Sequence, residues 1–336
     1  MSKQRILVTG GLGYIGSHTV VALCKVGYEP IIVDNLSNSS EKIVECLERL
    51  TGQPIIYEIC DVRDTEKLKA AMNKYKPDVV FHFAGLKSIS ESLQKPIEYY
   101  SNNVQGIISL LESMKASDLS KIIFSSSATI YGAINIPATE DMQLGETTNS
   151  YGATKVICER LLRDISAAQP NWQVTILRYF NPIGAHQSGL IGENPNGLPN
   201  NLMPYLSRVA SGKIKELKVY GDDYPTADGT GIRDYIHVMD IADGHVAALK
   251  NIKRGNSIYN LGTGNGTSVK EMISTFERVT GQKVPYTVVS RRPGDSPNVT
   301  ADPSKAYREL GWKTKLTLED MCRDEWNWQC HYPNGY

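Results

Sequence analysis

The sequence carries no excess of either charge: 36 Lys and Arg stand against 36 Asp and Glu. A dedicated nucleic-acid or anionic-membrane binder normally shows a basic surplus, so neither partner is expected, and any anionic ligand must be gripped locally. No apolar stretch approaches ~18 residues, which argues against a membrane-spanning helix. No secretory leader is visible either, because the apolar run after Arg5 already ends at Thr9. The six cysteines (Cys24, Cys46, Cys60, Cys158, Cys322, Cys330) are scattered and form no C-x-x-C pair. Cys322, Cys330 and His331 share one terminal segment but are too few for a ligand set, so no metal is expected. The chain reads as cytoplasmic, with reduced thiols. It also lacks internal repeats and low-complexity tracts.

What is present is 336 residues, 41% of them hydrophobic and 21% charged. That is comfortable for two domains of roughly 150 residues each. The first 180 or so alternate strand and helix patterns. Strands are expected at Ile6–Val8, Ile31–Val33, Ile55–Tyr57, Val79–Phe83, Ile122–Phe124 and Val174–Tyr179. Helices are expected at Tyr14–Lys25, Ile43–Leu50, Leu68–Tyr75, Ile97–Lys115 and Tyr151–Ala168. Near-continuous apolar strands imply a sheet covered on both faces, and the alternation implies parallel strands. The expected fold is α/β, a doubly wound parallel sheet (Rossmann-like) with a second, smaller α/β domain. Residues 1–181 are read as the first domain and 182–336 as the second, with a segment near 233–260 returning to the first. In the second, Pro182–Asn201 is a Gly/Pro/Asn-rich loop. Helices follow at Leu202–Ala210, Met239–Lys250 and Val269–Val279, with extended segments at Leu217–Tyr220, Ile258–Leu261 and Val284–Val289.

In doubly wound sheets ligands sit beyond the carboxyl ends of the strands. Gly10-x-x-Gly13-x-x-Gly16 follows the first strand and opens the first helix. Glycines there permit a tight turn and close approach to a pyrophosphate on the positive helix end. Asp34 closes the second strand about 20 residues on, where a ribose-binding acid belongs. Its carboxylate would accept hydrogen bonds from the ribose hydroxyls and repel a 2′-phosphate, which favours NAD over NADP. Tyr151 and Lys155 are four apart at a helix start and share a face. An ammonium beside a phenol lowers the phenol pKa, as would a nicotinamide cation, and a tyrosinate near neutral pH can take a hydroxyl proton. The fifth strand runs into Ser125, Ser126 and Ser127.

The runs TGGLGYIGSH, VDNLSNS, FHFAGLKS, FSSSATIYG, YGATK and RYFNPIGAH resemble, in order and spacing, the extended short-chain dehydrogenase/reductase family. GLPNNLMPY, DYPTADGTGIRDYIHVMD and YNLGTGNG narrow the resemblance to its members that act on UDP-hexoses, over nearly the whole chain. That resemblance implies an NAD-dependent isomerase that inverts C4 of UDP-glucose and UDP-galactose through a 4-keto sugar. It implies Tyr151 as acid/base, Lys155 as its electrostatic partner and Ser127 on the proton path, all three also touching cofactor. Gly10, Gly13, Tyr14, Ile15 and Gly16 would form the pyrophosphate turn. Asp34, Asn35, Leu36, Ser37, Asn38 and Ser39 would hold the adenosine ribose, with Asp61 and Val62 at the adenine. Phe83, Ala84, Gly85, Leu86 and Lys87, with Asn102 and Phe180, would complete the cofactor wall. Around the UDP-sugar it implies Lys87, Ser127, Tyr151, Asn181, Asn201, Leu202, Lys218, Tyr220, Arg233, Arg292, Asp295 and Val299. By contrast, Arg291 and Lys213 read as solvated surface residues.

Two rival readings are weaker. A 4,6-dehydratase needs a carboxylate acid/base beside the reacting hydroxyl, and here Ala128-Thr129 follows Ser127. A non-catalytic NAD sensor would be expected to lose Tyr151 or Lys155, and both are present. The resemblance further implies a homodimer through the helices at Ile97–Lys115 and Tyr151–Ala168. Finally, several bacterial members restricted to glucose and galactose carry a tyrosine two positions after the proline that matches Pro297. Val299 stands there, so N-acetylated UDP-hexoses are expected to fit as well.

Overall fold

The computed structural model describes residues 3–132, 134, 136–292 and 295–336. Strands β1 (Arg5–Thr9), β2 (Glu29–Asp34), β3 (Ile56–Ile59), β4 (Val79–His82), β5 (Lys121–Ser127) and β6 (Gln173–Tyr179) lie in one seven-stranded sheet. The seventh strand is Gly255–Leu261, and the order is Gly255–Leu261, β6, β5, β4, β1, β2, β3. The β1–β2, β1–β4, β2–β3 and β4–β5 pairings are parallel. The sheet, an α/β Rossmann-like one, is flanked by α1 (Tyr14–Lys25), α2 (Lys42–Thr51), α3 (Thr65–Tyr75), α4 (Ile89–Gln94), α5 (Pro96–Tyr99), α6 (Gln105–Ala116) and α7 (Ser150–Ala168). β1 and β4 are buried at almost every position, as a strand covered on both faces must be. Leu7, Val80, Ile122 and Phe124 from the sheet share one core cluster with Leu68, Leu110 and Leu162 from the helices.

The long helix expected over Ile97–Lys115 is not continuous. It runs from α5 through a π-helical turn, Tyr100–Val104, into α6. Such a turn holds one extra residue without changing the apolar texture of the sequence. Its effect is local: Asn103 is rotated inward, buried, and bonded to Leu86 and Thr154.

The chain divides into two compact units, neither of them one continuous segment: residues 1–130, 147–178 and 242–259 form the first, and 131–146, 179–241 and 260–336 the second. The second has its own core, in which Leu206 and Val209 of α8 (Leu202–Ala210) meet Leu217, Val219, Phe276 and Met321. The strand Asn181–Ile183 pairs in parallel with Tyr235–His237, and Ile232–Arg233 sits between Thr267–Ser268 and Asn298–Val299.

These short pieces need a hub, and Asp234 supplies it. Fully buried, its carboxylate accepts from Thr263 N (2.8 Å), Thr263 Oγ1 (2.7 Å), Gly264 N (2.9 Å) and Ala301 N (3.1 Å). Asp234→Asn would turn an NH₂ toward donors, at a cost of about 1–3 kcal/mol for each group left unmatched. The expected outcome is a fall in the denaturant midpoint with an unchanged slope, read by urea unfolding.

Candidate active site

Where β1 ends, Gly10 adopts φ +69°, and a Cβ there would lie 2.7 Å from Ala84 N. A Cβ on Gly16 would lie 2.2 Å from Gly10 O. Gly10 therefore demands glycine through contact as well as conformation, and Gly16 through contact alone. Helix α1 starts at Tyr14 with Gly13 as N-cap, no side-chain cap and no acid in its first turn. Its positive end is left for an anion.

Asp34, at the end of β2, accepts from Leu12 N (3.0 Å), Leu36 N (2.9 Å) and Ser39 Oγ (2.8 Å). Three of its roughly four lone-pair sites are thus used within the protein, fixing the glycine turn against the β2 loop. Leu36 holds φ +59° to reach it, an uncommon conformation for a residue with a side chain. Asn35 Nδ2 bonds Asp61 at 3.0 Å, and Ser37 N bonds Asn35 Oδ1 at 3.1 Å. The hydrogen bonds of Arg63, forked on Asp61 at 2.9 and 2.8 Å, hold that carboxyl well below the usual carboxylate range.

Beyond β4, Phe83 N and Ala84 N both donate to Thr9 O. Asn103 accepts from Leu86 N (2.8 Å) and donates to Leu86 O (3.0 Å), so it sets the loop that carries Gly85, Leu86 and Lys87. Lys87 Nζ lies 5.6 Å from the ring centroid of Tyr14. Asn102 sits in the same π-helical turn as Asn103. Asn103 was not singled out from the sequence; the doubled Asn102-Asn103 was its only visible trace.

Asn149 caps α7 by accepting from Gly152 N at 2.8 Å, which puts Tyr151 in the first turn. Ser127 ends β5, and its Oγ is hydrogen-bonded to Tyr151 and accepts from Thr129 Oγ1 at 3.0 Å. Lys155 Nζ donates to Ser125 O at 2.6 Å and lies 5.9 Å from the Tyr151 ring centroid. The structure thus gathers Ser127, Tyr151 and Lys155. The electrostatics differ from the expected lowering of the phenol pKa: burial pushes Tyr151 up, and the Ser127 hydrogen bond only partly opposes it. Burial likewise pushes the Lys155 ammonium down, to about 8. Desolvation outweighs the pairing because both groups are sunk between helix and sheet.

In the second unit, Arg233 forms an ion pair with Asp295 and donates from Nη1 to Ile232 O at 2.6 Å. Arg233 and Val299 are register partners, and Asp234 N donates to Val299 O at 3.0 Å. Arg292 lies over Tyr220, 3.9 Å from the ring centroid, on the strand that carries Lys218. Asn201 is the N-cap of α8, yet its side chain does not cap the helix and instead donates to Glu193 at 3.1 Å. Asn181 N bonds Asp234 O at 2.9 Å, Phe180 is buried, and Leu202 packs on the core of this unit. No hydrogen bond among the described residues links Asn181 or Asn201 to either arginine. Arg291 is exposed, as expected of a solvated surface residue, and pairs there with the exposed Asp223, 4.1 Å from the Tyr224 ring centroid.

A dinucleotide fits the first unit, whose two obligatory glycines, uncapped helix start and strand-end carboxylate are matched to it. Comparison with known proteins agrees. The family model described as GDP-mannose 4,6 dehydratase matches residues 7–325. A UDP-glucose 4-epimerase of Yersinia enterocolitica is 54% identical, over 98% of this chain and 99% of its own. The crystal structure of UDP-glucose 4-epimerase from Bifidobacterium longum, in complex with NAD+ and UDP, superposes with a TM-score of 0.96 at 50% identity, covering 99% and 100% of the two chains. That of the UDP-Glc/GlcNAc 4-epimerase from Campylobacter jejuni gives 0.85 at 36% identity, covering 98% and 99%. The chain belongs to the matched family and, within it, to the UDP-glucose 4-epimerases.

Proposed function

We propose that Tyr151, Lys155 and Ser127 form the acid/base centre for reversible inversion at C4 of UDP-glucose and UDP-galactose. The observation that carries this is the gathering of phenol, ammonium and serine hydroxyl at the end of β5, in the unit that holds the glycine turn. NAD, when bound, supplies the acceptor and later the donor of the C4 hydride, and its positive nicotinamide lowers the phenol pKa. Gly10, Gly13, Tyr14, Ile15 and Gly16 hold its pyrophosphate, and Asp34 to Ser39 its ribose. Asp61, Val62, Phe83 to Lys87, Asn102 and Phe180 line the rest. Tyr151 takes the 4-hydroxyl proton as the C4 hydride leaves, and returns that proton after the 4-keto ring has presented its other face. Lys155 stabilises the phenolate, and Ser127 orients the hydroxyl.

Arg233 and Arg292 each offer a rigid fork of donors to the diphosphate, with Asp295 orienting Arg233. Asn181, Asn201, Leu202, Lys218 and Tyr220 complete the hold on UDP. Firm binding of the nucleotide leaves the sugar free to turn, a use of remote binding energy for positioning. The turn after Ser127 places Thr129, not a carboxylate, on its hydroxyl, which disfavours a dehydratase. The six cysteines form no disulfide, which accords with a reducing, cytoplasmic setting. Among the described residues no helix is long and apolar enough to cross a membrane.

The direct experiment is to incubate the purified protein with UDP-galactose, without added cofactor, and look for UDP-glucose. Activity that strictly required added NADP would defeat the assignment of Asp34. Tyr151→Phe keeps the packing and removes the proton acceptor, so turnover should fall ~10²-fold or more while UDP still binds, measured by steady-state kinetics and calorimetry.

Val299 is half-buried beside Arg233. A valine leaves the volume of a phenol ring open to an acetamido group, so UDP-N-acetylglucosamine and UDP-N-acetylgalactosamine should interconvert as well. Val299→Tyr should suppress that reaction and spare UDP-galactose. Absence of N-acetyl activity in the wild type would sink the idea.

Apolar side chains on the first unit stand open: Ile89 and Leu93 on α4, Ile97 on α5, Tyr100, and Ile157 on α7, with Ile97 83% exposed. α4 and α5 both pack on α7, so these residues fit a homodimer built on these helices. Ile97→Glu should shift the mass measured by light scattering from dimer to monomer. A wild-type protein that is monomeric at micromolar concentration would end this reading.

A further inference from the structure

Three consecutive residues at the end of β5 engage three residues spaced one turn apart along α7. Ser127 meets Tyr151, the Ser125 carbonyl accepts from Lys155, and Ser126 Oγ donates to Glu159 Oε1 at 2.6 Å. Residues 151, 155 and 159 share one helix face by their i, i+4 spacing. The first two contacts belong to the acid/base centre. The third has no part in it so far.

Glu159 is fully buried and saturated with donors. Besides Ser126 it accepts from Arg178 Nε (3.0 Å) and Nη2 (2.8 Å) and from Arg163 Nη2 (2.7 Å). Arg178, on β6, is itself 1% exposed. A buried ion pair is a poor device for stability alone, since an apolar pair of similar volume often serves as well or better. Its place one turn from Lys155 gives it a second effect. Against the upward push of burial, the Arg178 hydrogen bonds and charge hold the Glu159 carboxyl below its ordinary value, so it is ionised. Burial drives Lys155 down to about 8; Cys158 and then Glu159 oppose that drop, and of the two only Glu159 is charged near neutral pH, because burial pushes the Cys158 thiol up to about 11.

The other titratable groups around Lys155 supply no negative charge near neutral pH. Tyr151 is pushed up by burial, Cys158 is pushed up to about 11, and His82 of β4 is pushed down to about 3. The Phe124 ring, 4.8 Å from Nζ, favours the cation weakly. Arg163 and Arg178 oppose it.

We propose that Glu159 is a positioning residue for the epimerisation: through Ser126 it fixes the strand end that carries Ser125 and Ser127, and its charge keeps Lys155 an ammonium beside Tyr151. This rests on Tyr151 and Lys155 being the acid/base centre.

The test compares Glu159→Gln with the Glu159→Gln/Arg178→Met double variant, Arg178→Met and Ser126→Ala. Lys155 is titrated by NMR on ¹³C-lysine-labelled protein, its signal assigned by loss in Lys155→Met, and kcat for UDP-galactose is measured against pH. Glu159→Gln leaves two arginine charges unopposed, so Lys155 should lose its proton about one unit or more lower. The alkaline limb of kcat should move with it, while KM stays within about twofold because the UDP-binding residues are untouched. The double variant, with charge rebalanced, should return both toward wild type. Arg178→Met should move both to higher pH. If Glu159→Gln does not fold, the last two variants still differ by the Glu159 charge alone. Ser126→Ala keeps that charge and should lower kcat on the order of tenfold with the limb unmoved. A Lys155 titration indifferent to the Glu159 charge, or a Ser126→Ala variant with wild-type kcat, overturns the proposal. Full turnover by Tyr151→Phe would instead overturn the acid/base centre itself and leaves the Lys155 titration interpretable.

Discussion

The first unit depends on the backbone of the turn after β1 touching the backbone of the turn after β4. A single methyl group on Gly10 would overlap Ala84, and one on Gly16 would overlap Gly10. β1 lies between β4 and β2, so the strand order reverses beside it, and the two turns frame the crevice at that point. Asp34 fastens the same turn from the other side through Leu12 N. The groups that would hold a dinucleotide are therefore the groups that close the fold at this edge, and neither duty can be altered alone.

The residues proposed as acid and base show the opposite tension. Tyr151 and Lys155 sit where burial disfavours the charged form of each, although the proposed chemistry would use phenolate and ammonium together. Such a site is poised by what opposes desolvation: the Ser127 hydroxyl, the Ser125 carbonyl and, beyond them, the Glu159 carboxylate. Low dielectric makes every one of these contacts count for more than it would in water.

The sheet was legible because its strands are apolar without alternation, and the glycine turn, Asp34 and the Tyr151/Lys155 spacing because their chemistry is local in sequence. What escaped depends on contacts distant in sequence. The π-helical turn at Tyr100–Val104 keeps a helical hydrophobic texture, so nothing in the periodicity betrays the inward rotation of Asn103. Arg178 and Glu159 look like ordinary charged residues until β6 and α7 are packed together. The pairing of Val299 with Arg233 is a sheet register between residues far apart in the chain.

The strand Gly255–Leu261 completes a sheet whose other six members all lie before residue 180. During synthesis at ~5–20 residues per second, β6 therefore waits for several seconds as an open edge. Unpaired strand edges are templates for pairing with other chains. For that interval the nascent chain is most exposed to mispairing with a neighbour on the same message, and a ribosome-bound chaperone would have most to protect there. A gene truncated before residue 255 would make that interval permanent.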